Sequence, residues 1–523
     1  MAVRTCRRRV LRATTATSRQ KRIERPDVTS EVRQAVPPGI DRVVIVVFDG
    51  LRPDLVRAEV TPNLHRFREQ GAGFVQARSV FPSVTRVCTS SIATGAPPAV
   101  HGIVGNAFFH PGIDAQRPLD LSRIEDFRRF AAAGEPALSA PTFADVLAAA
   151  GKRLAIAHGG SPGATFALAP QAAEQGHWVY NAHGPQASLT PDAVHAMRAR
   201  FGPEPARAKP LFAVVDRVAD VLVDHILGTL EPDVALAWFP EPDTSFHYIG
   251  LGAPETLAVL ARCDAQLGRI LDALEARGWR ERSLVMVLSD HGQITVTDEV
   301  PLFDELTRAG FATATAAGPE EDAALLGVAG AFGELRLRTP DARMRDRVVA
   351  WLQEHPAIGH LFTRDVNGID GAAPGTLSLR LVGLDHARAP DIAFTLRSGA
   401  GPDPYGLPGC GLFMGGVPRN GGMHGGLNRH ELATVLYVGG PGVLPGARLE
   451  APAGLIDVAP TVLAALGLDI PPTMVGQPLA VAFGAPPMPW REVVGQAGRH
   501  GYQQEVRARR VAGATYLIEG MVG

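Results

Sequence analysis

Short apolar runs separated by helical patterns organise this chain. VVIVVF occupies 43–48, a weaker run 154–157, VALAWF 234–239, LVMVL 284–288 and TVLYV 434–438. The runs are continuous rather than alternating, which is the pattern of strands buried on both faces, as in a parallel sheet. Helical spacing fills the gaps. It is clearest over 257–276, where Leu257, Leu260, Ala261, Leu267, Ile270, Leu271 and Leu274 recur on one face. The alternation predicts an α/β fold with a doubly wound, mostly parallel sheet.

From 297 to 414 the pattern changes. A strand is expected at 334–337, a helix at 343–354 and a strand at 392–396, set among Gly- and Pro-rich pieces. This reads as a smaller α+β cap inserted into the sheet domain. The sheet pattern resumes at Glu431, and 457–466 reads as an amphipathic helix. The expected organisation is a basic, disordered tail over 1–38 and a metal-binding catalytic core over 39–296 plus 415–485. The cap spans 297–414, and a C-terminal extension covers 486–523.

Composition narrows the class. The chain has 523 residues, 46% hydrophobic and 20% charged, enough to bury a core without staples. A net charge of −2 gives no global field directed at nucleic acid. Cys6, Cys88, Cys263 and Cys410 are scattered without a CxxC, so this is no disulfide scaffold. Residues 1–22 hold eight Arg or Lys and no acid, and no apolar leader follows Arg7-Arg8-Arg9. That favours the cytoplasm, with a secreted or periplasmic location if the true start differs. No run of about 18 apolar residues predicts a membrane span.

The candidate chemistry lies where the apolar runs end. The first leads into Asp49-Gly50, the run at 234–239 into Asp243, and the run at 284–288 into Asp290-His291-Gly292. In an open parallel sheet, ligands bind beyond the carboxyl ends of the strands. Three carboxylates converging there repel one another, and a dication is the usual remedy. His247 follows Asp243 by one helical turn, and His424 sits in the loop Gly421-Gly422-Met423-His424-Gly425-Gly426. A donor set of Asp and His without thiolate suits zinc and also accommodates manganese or iron. The segment 81–106 reads FPSVTRVCTSSIATGAPPAVHGIVGN, a loop feeding a small-residue helix with Thr85 at its mouth. Thr85 is either an N-cap or a hydroxyl nucleophile that needs metal activation.

These motifs carry a resemblance. Asp49-Gly50, Phe81 to Thr85, Thr94-Gly95, His101-Gly102-Ile103 with Asn106, and Pro242-Asp243 with His247 stand in characteristic order. Ser289-Asp290-His291-Gly292, Met423-His424-Gly425-Gly426 and the helix from Asp457 complete it. Over roughly 40–480 the chain resembles the alkaline phosphatase superfamily, and within it the nucleotide pyrophosphatase/phosphodiesterase family. The resemblance implies two zinc ions. Asp243, His247 and His424 would hold the first, and Asp49, Asp290 and His291 the second, with Thr85 as a further ligand. Asn106 would donate to a phosphate oxygen, and Thr85 would attack phosphorus to give a phospho-threonine species that water hydrolyses. The implied substrate is a small phosphate ester or nucleotide.

One residue departs from that pattern. Arg86 follows Thr85, where nucleotide-cleaving relatives place an aromatic or polar residue. Arg86 is either a solvated helix-start residue or a contact for substrate anion. The second option tilts specificity toward phosphomonoesters or phosphonates such as phosphonoacetate. On the motifs as a whole, phosphodiester or pyrophosphate hydrolysis is the leading expectation. A phosphomonoesterase or phosphonate hydrolase on the same metals is the alternative, and a catalytically silent metal-binding module is the reading from a different class.

Overall fold

The computed structural model describes residues 39–315 and 323–523; the expected basic tail lies outside the described residues. An eight-stranded sheet forms the centre. In chain order its strands are β1 (Arg42–Phe48), β2 (Ala72–Phe74), β3 (Leu154–His158), β4 (Trp178–Asn181), β5 (Val234–Phe239), β6 (Ser283–Leu288), β7 (Leu436–Gly439) and β8 (Ala447–Leu449). Their spatial order is β8-β2-β7-β6-β1-β5-β3-β4. β1 pairs in parallel with β5 on one side and β6 on the other, and β3 continues the parallel run to β4. Only β7 opposes its neighbours, running antiparallel to β6 and to β2. The run at 434–438 was expected to join a parallel sheet; it pairs in the opposite sense. An apolar run carries no mark of strand direction, because both faces are covered either way.

The continuous apolar pattern has a direct cause. Val43, Ile45 and Val47 of β1 point into one buried core, and Val44, Val46 and Phe48 into another on the opposite face. Each of these side chains is wholly excluded from water. Burial of that kind stabilises by about 1.5–3 kcal/mol per large apolar side chain. The helix Pro254–Ala276 covers the second face through Val259, Leu260, Leu267, Ile270 and Leu274.

Residues 313–396 build a separate six-stranded sheet, which includes Phe332–Leu337 and Ile392–Leu396, with the helix Ala342–Glu354 against it. Phe332 and Phe362 of this unit pack on Phe81, with ring centroids 5.4 and 5.5 Å away. The C-terminal residues form a three-stranded antiparallel sheet, Trp490–Arg499, Tyr502–Val511 and Ala514–Val522. Its Val506, Ala508, Tyr516 and Leu517 enter the large core. Tyr502 donates its hydroxyl to Gly359 O at 2.6 Å, tying it to the inserted sheet. Among the described residues no helix is long and apolar enough to cross a membrane.

Candidate metal centre and active site

The parallel register brings three strand ends level. Phe48 lies opposite Phe239, and Val47 opposite Leu288. Asp49, Asp243 and Asp290 therefore emerge at one edge of the sheet. Gly50 makes the approach possible: its φ is +72°, and a Cβ there would meet the Asp243 Cβ and Gln293 Nε2 at 3.0 Å. Its N–H donates to Asp290 Oδ1 at 3.0 Å, and the Asp243 N–H donates to Asp49 O at 3.0 Å.

Asp243 opens the helix Asp243–Ile249, so His247 stands one turn above it, with Nε2 3.3 Å from Asp243 Oδ1. His424 arrives from far along the chain. The strand Ile294–Glu299 pairs antiparallel with Gly422–Met423, Ile294 opposite Met423. That pairing delivers His424 beside His291, and the two rings stack at 3.6 Å and 11°. His424 Nε2 is 3.5 Å from Asp243 Oδ1. Buried Glu431 holds the loop by accepting from Gly426 N at 2.8 Å and Asn428 N at 3.1 Å.

Among the described residues two groups of ligand atoms result, each with its members within 4.8 Å of one another: Asp243, His247 and His424, and Asp49, Asp243 and His291. The first is the set expected from sequence. The second contains Asp243 where Asp290 was expected, so the Asp243 carboxylate reaches both groups. Asp290 stays adjacent, with Oδ2 3.3 Å from His291 Nε2.

The chemistry of these donors fits metal ions. His247 Nδ1 donates to Gly422 O at 2.7 Å, His424 Nδ1 to Ser83 O at 2.7 Å, and His291 Nδ1 to Gly292 O at 3.1 Å. All three rings thus turn a free Nε2 lone pair toward the carboxylates, as ligating imidazoles do. Asp49 Oδ1 and Asp290 Oδ2 are buried and lack any hydrogen-bond partner. Orphaned buried oxygens of this kind are costly unless a cation occupies the space between them. Burial, then the charges of Asp290 and Asp243, push the Asp49 carboxyl well above its usual range. Burial works against ionised Asp243 too, but positive charge on the surrounding imidazoles, His247 before His424 and His291, outweighs it and holds that carboxyl low; a metal ion held by their Nε2 atoms would supply that charge in place of the protons. A dication would supply the missing counter-charge for all three acids.

Thr85 is not an N-cap. Val84 takes that position, and Thr85 is the first residue of the helix Thr85–Thr94, which stops at Gly95 with φ +59°. Its Oγ1 faces His291 Nε2 at 3.4 Å. The Arg86 N–H donates to Asn106 Oδ1 at 3.0 Å, which leaves the Asn106 NH₂ group free to donate into the crevice. Arg86 also faces the crevice, and its Nε is buried with no hydrogen-bond partner. Burial lowers its pKa, while Asp120 and Asp49 pull it back up.

Some functional neighbours escaped the sequence reading. Trp238 donates its indole N–H to Asp49 Oδ2 at 2.8 Å, and Gln293 donates to Asp243 Oδ1 at 2.5 Å. Trp238 read as one more apolar residue of its strand. His158 stands apart from both ligand groups: it is fully buried, stacked on Trp238 at 5.1 Å, and accepts from Gly160 N.

The cluster of candidate ligands opens into a cavity of about 770 Å³. Its walls come from Ser122 to Glu125, Gly159 to Pro162, His183 to Ala187, and Arg207 to Leu211. The inserted unit at 297–414 reads from sequence as a cap, yet none of its described residues lines this cavity. It braces the loop behind Thr85 through Phe332 instead. The core's own connections after β3 and β4 are long enough to wall the crevice themselves.

Comparison with known proteins agrees with this architecture. Residues 43–402 match the model of the family described as Type I phosphodiesterase / nucleotide pyrophosphatase. Human ectonucleotide pyrophosphatase/phosphodiesterase family member 5 is 23% identical over 270 residues, 51% of this chain and 47% of that protein. The chain thus spans about half the length of that relative. Phosphonoacetate hydrolase from Sinorhizobium meliloti 1021, in complex with phosphonoformate, superposes with a TM-score of 0.58 at 20% identity, covering 82% of this chain and 96% of that one. The inactive murine ectonucleotide pyrophosphatase / phosphodiesterase 5, in complex with AMP, gives 0.56 at 17% identity, covering 83% and 96%. The core is an alkaline-phosphatase-like fold, and the chain belongs to the type I phosphodiesterase / nucleotide pyrophosphatase family.

Proposed function

We propose that the protein hydrolyses phosphodiester or pyrophosphate bonds of small phosphate esters or nucleotides, with Thr85 as nucleophile. The observation that carries this reading is the Thr85 hydroxyl, free of any capping role and facing His291 at the mouth of two ligand groups. Asp243, His247 and His424 would hold one ion, and Asp49, Asp290 and His291 the other, with Asp243 between them; zinc suits the donors best. Bound there, the ions supply Lewis-acid activation of an oxygen nucleophile and charge neutralisation.

The chain's own residues do the rest. Thr85 Oγ1 attacks phosphorus, the P–O bond to the leaving group breaks, and its oxygen departs as an alcohol or phosphate. The phospho-threonine is then cleaved by water, which returns the Thr85 hydroxyl and releases the phosphoryl product. The Asn106 amide donates to a non-bridging oxygen, its orientation fixed by the Arg86 N–H. Arg86 adds a cation beside the same oxygens.

The AMP complex of the murine relative supports a nucleotide-type substrate. The phosphonoformate complex of the bacterial neighbour supports the second reading, a phosphomonoesterase or phosphonate hydrolase on the same metals. The half-buried cation of Arg86 favours that reading wherever the substrate carries two negative charges on phosphorus. The test is a rate comparison of bis-p-nitrophenyl phosphate, p-nitrophenyl phosphate and a p-nitrophenyl ester of a nucleotide, with elemental analysis of the same sample. About two zinc ions per chain and the fastest rate on a diester are expected. Metal-free protein that keeps its activity in a chelator would overturn the assignment.

A further inference from the structure

We infer that the crevice contains an anion subsite formed by Arg207 and Lys209, so that the preferred substrate bears a second anionic group, phosphate or carboxylate, on the arm away from the scissile phosphorus. This rests on the reading of the cavity as a phosphoryl-transfer site.

The wall of the cavity is strongly cationic. Arg86, Arg123, Arg207 and Lys209 all line it, and outside the ligand cluster the only acid among its lining residues is Glu125. Glu125 does not neutralise them. It meets Arg123 at 4.0 Å with both side chains 60% exposed, a contact worth little in water. Among the described residues, Arg207 and Lys209 form no ion pair with a carboxylate. Both are exposed cations on the wall of one cavity, free to meet an anion there.

Lys209 is also held in place. Its Nζ lies 3.0 Å above the ring of Tyr248, the residue after the candidate ligand His247. That contact draws the exposed ammonium toward the rim of the crevice. It has a second effect. Tyr248 is the only phenyl or phenol ring among the lining residues, and Lys209 covers a face of it. One face of that ring is thus taken by a cation, and an anionic group on the substrate has Arg207 and Lys209 as donors.

Arg207 and Lys209 are exposed loop residues, so replacing both leaves the fold intact. The test uses zinc-loaded protein and calorimetry with three probes: methylphosphonate, 3-phosphonopropionate and methylenediphosphonate. The wild type is expected to bind at least one doubly functional probe tenfold or more tighter than methylphosphonate. The carboxylate and phosphonate arms identify which second anion is preferred. In the Arg207→Gln/Lys209→Gln variant that margin is expected to collapse to within about twofold. Equal binding of all three probes by the wild type, or a margin that survives in the variant, would overturn the subsite. Binding is read without turnover. If no ester is hydrolysed yet the margin is present and lost in the variant, the catalytic assignment falls and the anion subsite stands.

Discussion

Val84 holds the N-cap position and the Thr85 hydroxyl is not used as a cap, so its environment decides what it does. Thr85 Oγ1 looks toward His291 instead of back along its own chain. Thr85→Ala is accordingly expected to lower kcat by on the order of 10³-fold or more while metal content stays unchanged, because the other ligands remain. Thr85→Ser, which keeps the oxygen, should retain measurable turnover. Near-normal turnover in the alanine variant would reassign the attack to water. A second expectation concerns Trp238. Its N–H occupies Asp49 Oδ2 and leaves Oδ1 directed at the cluster. Trp238→Phe keeps the packing and loses the donor, and should weaken zinc affinity by about 10–100-fold, read by competition with a chelating dye. Unchanged affinity would mean the bond has no part in orienting the carboxylate. The contrast between these residues shows what a sequence makes legible. Asp49, Asp243 and Asp290 stand out because each closes an apolar run. Trp238 hides inside one, and Arg207 and Lys209 reach the crevice only through the path of their loop, which no local pattern encodes.

Elements were legible in proportion to their length and burial. The runs at 43–48, 234–239 and 284–288 lie within strands of almost the same bounds, since a segment covered on both faces has no polar residue to spare. Ala72–Phe74 and Ala447–Leu449 are three residues each, too short for any period to emerge. The C-terminal sheet went unread as strands because Trp490–Arg499 is mostly exposed and rich in polar residues. Its attachment can be tested. Tyr516 donates its hydroxyl to Asp457 Oδ1 at 2.8 Å, joining this sheet to the helix Val458–Ala465. Burial pushes the Asp457 carboxyl up to about 7 despite that bond and those from Gln477 and Gly454. The folded state thus holds this proton more tightly than the unfolded chain does. Its contribution to stability is lost as pH rises from the ordinary aspartate range through about 7. Tyr516→Phe removes a donor to the charged form. It should cost about 1.5–3 kcal/mol at pH 8 and clearly less at pH 5, measured by urea unfolding. An equal cost at both values would show that Asp457 does not titrate in that window.

At the scale of the molecule, three sheets share one interior. Val506, Ala508 and Leu517 of the C-terminal sheet sit in the same core as Val43 and Leu284 of the central one. Removing 486–523 is therefore expected to lower the melting temperature by several degrees at least and to expose apolar surface to a dye such as ANS. A truncated chain that melts with the full one would show that the extension is an appendage. The order of the central strands has a further consequence, for synthesis. β7 and β8, the only partners of β2 among the described residues, lie beyond residue 435, and β7 is also the neighbour that covers the outer edge of β6. On the ribosome, β2 must wait more than three hundred residues for a partner, with the edge of β6 open meanwhile. Asp49, Asp243 and His291 have all emerged long before His424. A growing chain can thus assemble one ion-binding group early and the other only when its sheet is nearly complete, so ion capture during translation would proceed in that order.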